Sequence, residues 1–317
     1  MTKAREPDCE RLLFHEGELD LQLRAGVRER VEGFARRALR SRLPDEHRQF
    51  YAQLPFAVLG ARDGEGRPWA TLLCGAPGFL SSPSPEWLSV RALPGSGDAL
   101  EGALASAADV GLLGIEPHSR RRNRVNGVVE RLGEEGFLLS VRQSFGNCPK
   151  YITRRELRFR QAPRPRAPSA RVGRLDEPLA EMVRRADTLF IATGYGRASR
   201  APSEGNDVSH RGGAPGFVDL VDDRTLVLPD YVGNNLFNTL GNLTCDPRAG
   251  ICIPDFGGGS LLQLTGTATL DWDSPRVSRY AGARRLLEFR LEEARLVQGA
   301  LALCVAGDGG WGPTAGG

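Results

Sequence analysis

The chain has 317 residues, enough for two domains that each bury a core. Its 42 basic and 39 acidic residues leave a net charge of +3, too balanced to argue for a nucleic-acid or membrane partner. No stretch approaches the about 18–20 apolar residues that cross a bilayer, and the charged start Met1-Thr-Lys-Ala-Arg lacks the apolar region of a secretory signal.

Residues 1–50 read as a helical lead-in, with Leu23, Val27, Val31 and Phe34 spaced four, four and three apart. From residue 51 the period changes to that of a β-rich unit ending near 162. Strands are predicted at 56–60 and 69–74, joined by a hairpin with Asp63-Gly64 at its turn, and again at 87–91 and 110–115. The alanine-rich stretch 98–108 between the last two reads as a short helix. Pro163-Arg-Pro-Arg-Ala-Pro168 opens a stiff linker over 163–174.

A second β-rich unit is expected over 175–305. Its strands fall at 189–194, then after a long Gly/Ser-rich turn at 216–221 and 225–228, then at 249–253, 260–270 and around 287–291. Leu236, Leu240 and Leu243 mark one helix, with Gly233 and Asn234 in cap position. Residues 306–317 are glycine-rich and read as a disordered tail. The six cysteines form no C-x-x-C and have no histidine at finger spacing, so reduced thiols, no metal site and a cytoplasmic location are expected.

The two units echo one another. Gly75-Ala-Pro-Gly-Phe79 recurs as Gly213-Ala-Pro-Gly-Phe217, 138 residues on. Aligning Leu113 with Ile251 gives 138 again, and Phe56 with Phe190 gives 134. Such an echo implies an internal pseudo-twofold whose seam is a natural ligand site. Short antiparallel strands with one helix per copy predict an α+β, mostly β chain of two small barrels. Neither G-x-G-x-x-G nor G-K-[ST] occurs in the glycine motifs, so a Rossmann or Walker site is not supported.

The densest polar constellation is Asn206-Asp-Val-Ser-His-Arg-Gly212, followed by Pro229-Asp230 and Gly233-Asn-Asn235. Ser209 and Arg211 lie two apart and share a face of an extended segment. An arginine fork, a hydroxyl and free N–H groups at a helix start describe a phosphate cradle, the alternative being a polar loop before an ordinary capped helix. The first copy lacks Ser-His-Arg and carries Arg120-Arg-Arg-Asn-Arg-Val-Asn126 instead, a polar strand that could close over the cradle or a solvated charged face.

The segments Phe14-His-Glu-Gly-Glu18, Arg121-Arg-Asn-Arg-Val-Asn-Gly127, Ser144-Phe-Gly-Asn-Cys-Pro-Lys-Tyr-Ile152 and Val208-Ser-His-Arg-Gly-Gly-Ala-Pro-Gly-Phe-Val218 resemble the pyridoxamine 5′-phosphate oxidase-like family, and most closely its tandem-barrel bacterial branch. The resemblance runs from about residue 14 to 303. It implies two tandem FMN-binding split β-barrels forming an intrachain pseudo-dimer, with flavin at their seam. By its motifs Ser209, Arg211, Asp230, Asn234 and Asn235 meet the phosphate side. Arg122, Asn123, Arg124, Gln143 and Asn147 reach the cofactor from the partner barrel, and His210 is the candidate catalytic neighbour.

The function this implies is an FMN-dependent oxidoreductase acting on a small molecule, fed by NAD(P)H or a partner reductase, in a chain that could pair further as a homodimer. A deazaflavin-dependent reductase, or a flavin- or haem-binding protein without turnover, are the alternatives. True pyridoxamine-phosphate oxidases carry a C-terminal Arg-Leu-His-Asp-Arg signature. This chain has Glu288-Phe-Arg-Leu-Glu292 and no histidine after His210, so the family name does not give the substrate.

Overall fold

A computed structural model describes residues 13–162, 165–166, 170–196 and 201–306. The expected tail beyond residue 306, and part of the proline-rich linker, fall outside the described residues.

Three helices lead in: α1 (Glu16–Arg24), α2 (Arg28–Ala38) and α3 (Asp45–Gln53). His15 caps α1 reciprocally with Glu18: its Nδ1 accepts the Gly17 N–H at 3.2 Å, and the Glu18 carboxylate accepts the His15 N–H at 3.0 Å. Gly26, at φ +65°, then ends α1 and resets the helical phase. The apolar spacing read across that break therefore does not define one face. Val31 is buried, whereas Leu23 is 64% and Phe34 42% exposed.

The first sheet holds β1 (Phe56–Arg62), β2 (Pro68–Cys74), β3 (Leu80–Ser81), β4 (Trp87–Val90), β5 (Asp109–Glu116), β6 (Arg121–Leu132) and β7 (Phe137–Gly146). After β8 (Leu157–Phe159), β9 (Arg171–Val172) and α4 (Glu177–Arg185) come the strands of the second. These are β10 (Thr188–Tyr195), β11 (Gly205–Gly212), β12 (Asp219–Leu220), β13 (Thr225–Asp230), β14 (Arg248–Asp255), β15 (Ser260–Asp271) and β16 (Arg285–Val297), with α5 (Asn238–Cys245) before β14. β17 (Leu303–Val305) pairs with β8, and β9, inside the expected linker, pairs with β16.

The strand orders are β2-β1-β5-β6-β7-β4-β3 and β11-β10-β14-β15-β16-β13-β12, so the two antiparallel sheets share one connectivity. Neither closes into a continuous hydrogen-bonded barrel. Cross-strand partners give the equivalence between sheets more exactly than sequence similarity does. Leu59 pairs with Leu112, and Ile191 with Ile251. With Gly75 matched to Gly213, the ladders carry the register onward, so Val58 matches Phe190 at an offset of 132 and Leu112 matches Ile251 at 139. The sequence alignment of these two strands slipped because buried Leu, Ile, Val and Phe interchange freely, and only the ladder fixes register.

Three cores account for the continuous apolar runs of β1 and β10. Ala57 and Leu59 face the first sheet's own core, and Leu189 and Ile191 face the second's. Phe56, Val58, Phe190 and Ala192 face a third cluster between the sheets. Strands buried on both faces read as unbroken hydrophobic runs. The sheets meet at glycines. A Cβ on Gly111 would lie 2.7 Å from the Asp207 Cα, and one on the equivalent Gly250 2.5 Å from the Trp69 Cα.

Other expectations need correction. The 98–108 stretch forms turns, not a helix, with Gly102 and Ala107 at φ +66° and +65°. The helix expected just after Asn234 starts at Asn238, because Asn235 and Phe237 are left-handed (φ +59° and +66°). The strand at 216–221 shrinks to Asp219–Leu220, and the supposed Gly/Ser-rich turn contains β11. Polar Asn-Asp-Val-Ser-His-Arg has little intrinsic strand preference, but β10 pairs with it along its whole length. Among the described residues no helix is long and apolar enough to cross a membrane.

Candidate anion-binding cleft at the seam

A cleft opens where β11, the end of β13 and the start of α5 face β6 and the turn after β7. Nine of the residues singled out from sequence line it: Arg122, Arg124, Asn147, Ser209, His210, Arg211, Asp230, Asn234 and Asn235. Asn123 and Gln143 do not. Asn123 sits between the two arginines on β6, so strand alternation aims it at the opposite face. Gln143 turns to the lead-in, where its amide donates to the Leu13 carbonyl at 3.3 Å.

One lining residue, Arg124, belongs to a buried ion pair. Arg124 and Asp207, with side chains 4% and 5% exposed, meet at 2.6 Å. Burial pushes the carboxyl up and the guanidinium down, and each partner's charge opposes that shift in the other. Arg124 also donates to Ser209 Oγ at 2.5 Å and to Asn238 Oδ1 at 3.2 Å, and it lies 5.2 Å from the Phe145 ring centre. Thr239 Oγ1 contacts Ser209 Oγ at 2.8 Å. The Ser209 hydroxyl is thus already engaged by two neighbours. Asp207 belongs to the polar constellation read from the sequence but has no role assigned there, although it stands two residues before Ser209 on the same face of β11.

On the outer side Arg211 lies 3.3 Å from Asp230, which Arg285 approaches at 3.2 Å. Asp230 thus pairs with two arginines, and its carboxylate would itself repel a phosphate. Asn234 makes a local turn, its Oδ1 accepting from the Leu236 N–H at 3.1 Å. No side chain caps the N-terminus of α5, and its first-turn residues Asn238, Thr239 and Leu240 line the cleft. Lys150, Tyr151 and Tyr231 complete the mouth, the two rings stacked at 5.2 Å. Sequence reading gave these three, and Asn238 and Thr239, no role in the site.

The electrostatics are one-sided. Four cations line the cleft (Arg122, Arg124, Lys150, Arg211) against one carboxylate, Asp230. Burial, then repulsion from Arg124 and Arg211, pushes Arg122 down to about 10. Burial, then Arg122, Arg211 and Arg155, holds His210 well below the usual histidine range, so its ring is neutral. Arg122 approaches His210 Nδ1 at 3.2 Å and can only donate, which leaves the ring proton on Nε2. That Nε2, Arg122 Nε and Asn147 Nδ2 are buried without a partner among the described residues. Cations and donors lacking acceptors describe a site for an anion with further acceptor atoms.

The opposite seam differs. In the ladders Thr71 takes the place of Ser209, Leu73 that of Arg211 and Gln263 that of Arg124. Asp98, from the loop that was expected to be helical, accepts from Thr71 Oγ1, from Gln263 Nε2 at 3.1 Å and from the Leu100 N–H at 2.9 Å. Gln263 Oε1 accepts from the Ala99 N–H at 3.0 Å. That network is closed, and the first is open.

No protein-family profile and no curated protein matches the chain. Solved structures do. A candidate pyridoxamine 5′-phosphate oxidase from Lactobacillus delbrueckii is 13% identical, covering 40% of this chain and 97% of its own at a TM-score of 0.32. HupZ of Group A Streptococcus is 12% identical over 38% of this chain and 91% of its own, TM-score 0.31. HutZ, the haem storage protein of Vibrio cholerae, is 16% identical over 38% and 89%, TM-score 0.26. Pyridoxamine-phosphate oxidase-family proteins thus stand among the structures that this chain resembles.

Proposed function

We propose that this protein is an FMN-dependent oxidoreductase acting on a small molecule, with one flavin in the open cleft between two tandem split barrels. The observation that carries the reading is the contrast between the seams: one is a satisfied polar network, the other a basic cleft with orphaned donors. Arg211 and the first turn of α5 would hold the phosphate. Arg122, the Asn147 amide and the His210 Nε2–H would serve the polar edge of the ring. When bound, FMN supplies the electron- and hydride-carrying ring. The protein binds and orients it, and the neutral His210 donates a hydrogen bond without adding charge. A small-molecule substrate and an NAD(P)H or reductase donor complete the proposal.

Arg211→Ala is expected to weaken FMN binding by about 1.5–3 kcal/mol, roughly 10- to 150-fold. Riboflavin, lacking the phosphate, should lose little, and equal losses for both ligands would remove Arg211 from the phosphate. Titration of the purified protein should saturate at one flavin per chain. Two per chain would contradict the closed seam, and none would end the cofactor assignment.

The absorbance of the bound chromophore separates FMN from a deazaflavin, and turnover with NAD(P)H separates an enzyme from a binding protein. A Soret band in the purified protein would mark haem and retire the flavin.

A further inference from the structure

The lead-in helix reaches the cleft through one side chain. α1 packs on α5 so closely that a Cβ on Gly17 would lie 2.2 Å from the Gly241 carbonyl oxygen. This contact buries Glu18, a residue no part of the proposed chemistry uses. One carboxylate oxygen accepts the His15 N–H at 3.0 Å, and the other accepts from Asn238 Nδ2 at 2.6 Å. The Asn238 amide then presents its oxygen to Arg124 Nη1 at 3.2 Å, and Arg124 holds Asp207 and Ser209. An amide with a carboxylate on its nitrogen side and a guanidinium on its oxygen side has one orientation. We propose that Glu18 is a positioning residue of the anion cleft, acting through the Asn238 amide to fix Arg124 and setting how much positive charge the cleft presents.

The groups facing Glu18 are His15 and Asn238, with the charges of Asp207 on β11 and Arg124 on β6. Burial is the main influence and raises the Glu18 carboxyl to about 8, with Asp207 adding to the rise and Arg124 opposing it. Below that value Glu18 is neutral and Arg124 is offset by Asp207 alone. Above it a second buried negative charge joins the network, so an anion in the cleft binds less well. By linkage, anion binding in turn favours the protonated form, and the complex takes up a proton as it forms near pH 8.

The inference rests on the cleft taking an anion, and the test separates it from the flavin reading by using two probes. Inorganic sulfate keeps its charge between pH 7 and 9 and is the reference probe, while the FMN phosphate stays close to its dianion because its second ionisation lies near 6. Affinity is measured across that window for the intact protein, Glu18→Gln and Glu18→Ala, with proton uptake read calorimetrically in buffers of different ionisation heat. The expected result is a fall of about three- to tenfold from pH 7 to 9 with proton uptake near pH 8. Glu18→Gln, which keeps an acceptor for Asn238, should bind as at pH 7 throughout and take up no proton. Glu18→Ala should be pH-independent and about five- to tenfold weaker. Loss of FMN binding with a Glu18-dependent sulfate profile would retire the flavin and keep the positioning role. A flat profile in the intact protein, the same slope in Glu18→Gln, or no binding of either probe would overturn the role.

Discussion

Arg124→Met should destabilise the protein by about 3–5 kcal/mol, the usual penalty for breaking a buried ion pair from one side. The substitution is close in volume, so the loss is electrostatic rather than a cavity. Asp207 remains behind, 5% exposed, with its other oxygen already lacking a partner. The pH dependence follows from that carboxyl. Burial already raises it, and without Arg124 it rises further. A carboxyl whose folded value is raised above the unfolded one contributes in full below the unfolded value, and that contribution is lost as pH rises through the folded one. Urea unfolding should therefore show a smaller deficit near pH 5 than near pH 7. Adding Asp207→Asn should recover much of the deficit, since a neutral amide costs far less to bury than an unpaired charge. A deficit under about 1 kcal/mol, or no recovery in the double variant, would show that the pair does not anchor the seam.

The second large effect is expected at the glycines where the sheets touch. Gly111→Val and Gly250→Val each put side-chain atoms into opposing backbone: Asp207 Cα and Asn206 O for the first, Pro68 O and Trp69 Cα for the second. Backbone on a paired strand cannot swing aside as a flexible side chain can, so each change should cost about 2–3 kcal/mol. The two variants should match in thermal unfolding yet differ in ligand binding. Gly111 presses on the strand that carries Ser209 and Arg211, so its variant should also lose flavin affinity. Gly250 lies at the closed seam, so its variant should keep that affinity once folded. Equal losses of binding in both would mean that the cleft depends on the spacing of the whole interface rather than on β11.

How far the sequence reached depends on which physics set each feature. The buried strands were visible because β1, β5, β10 and β14 are covered on both faces and so read as unbroken apolar runs. Ser209 and Arg211 were visible because a period of two needs no partner to be recognised. The same period should have separated Asn123 from Arg122 and Arg124, and should have added Asp207 to Ser209. It was the resemblance that grouped Arg122, Asn123 and Arg124. The 98–108 stretch was misread because its alanines favour a helix locally, while Asp98 is held between Thr71 and Gln263, and Gln263 is 165 residues away. Glu18 and Asn238 are 220 residues apart, and nothing in either neighbourhood announces the hydrogen bond between them.

The ribbon of β8 and β17 has a consequence for biosynthesis. Leu303, Cys304 and Val305 pair with Phe159, Arg158 and Leu157, so β8 waits for a partner strand made only after the whole second sheet. Before the second sheet is made, the apolar face formed by Phe56, Val58, Ala70, Leu72, Leu113 and Ile115 lacks the Phe190, Ala192, Val208, Cys252 and Leu261 side chains that pack with it. The nascent first half therefore leaves the ribosome with a sticky surface that only its own C-terminal half can cap. Chaperone occupancy of stalled nascent chains should be greatest once residue 150 has emerged, and it should fall as the second sheet follows it out of the exit tunnel.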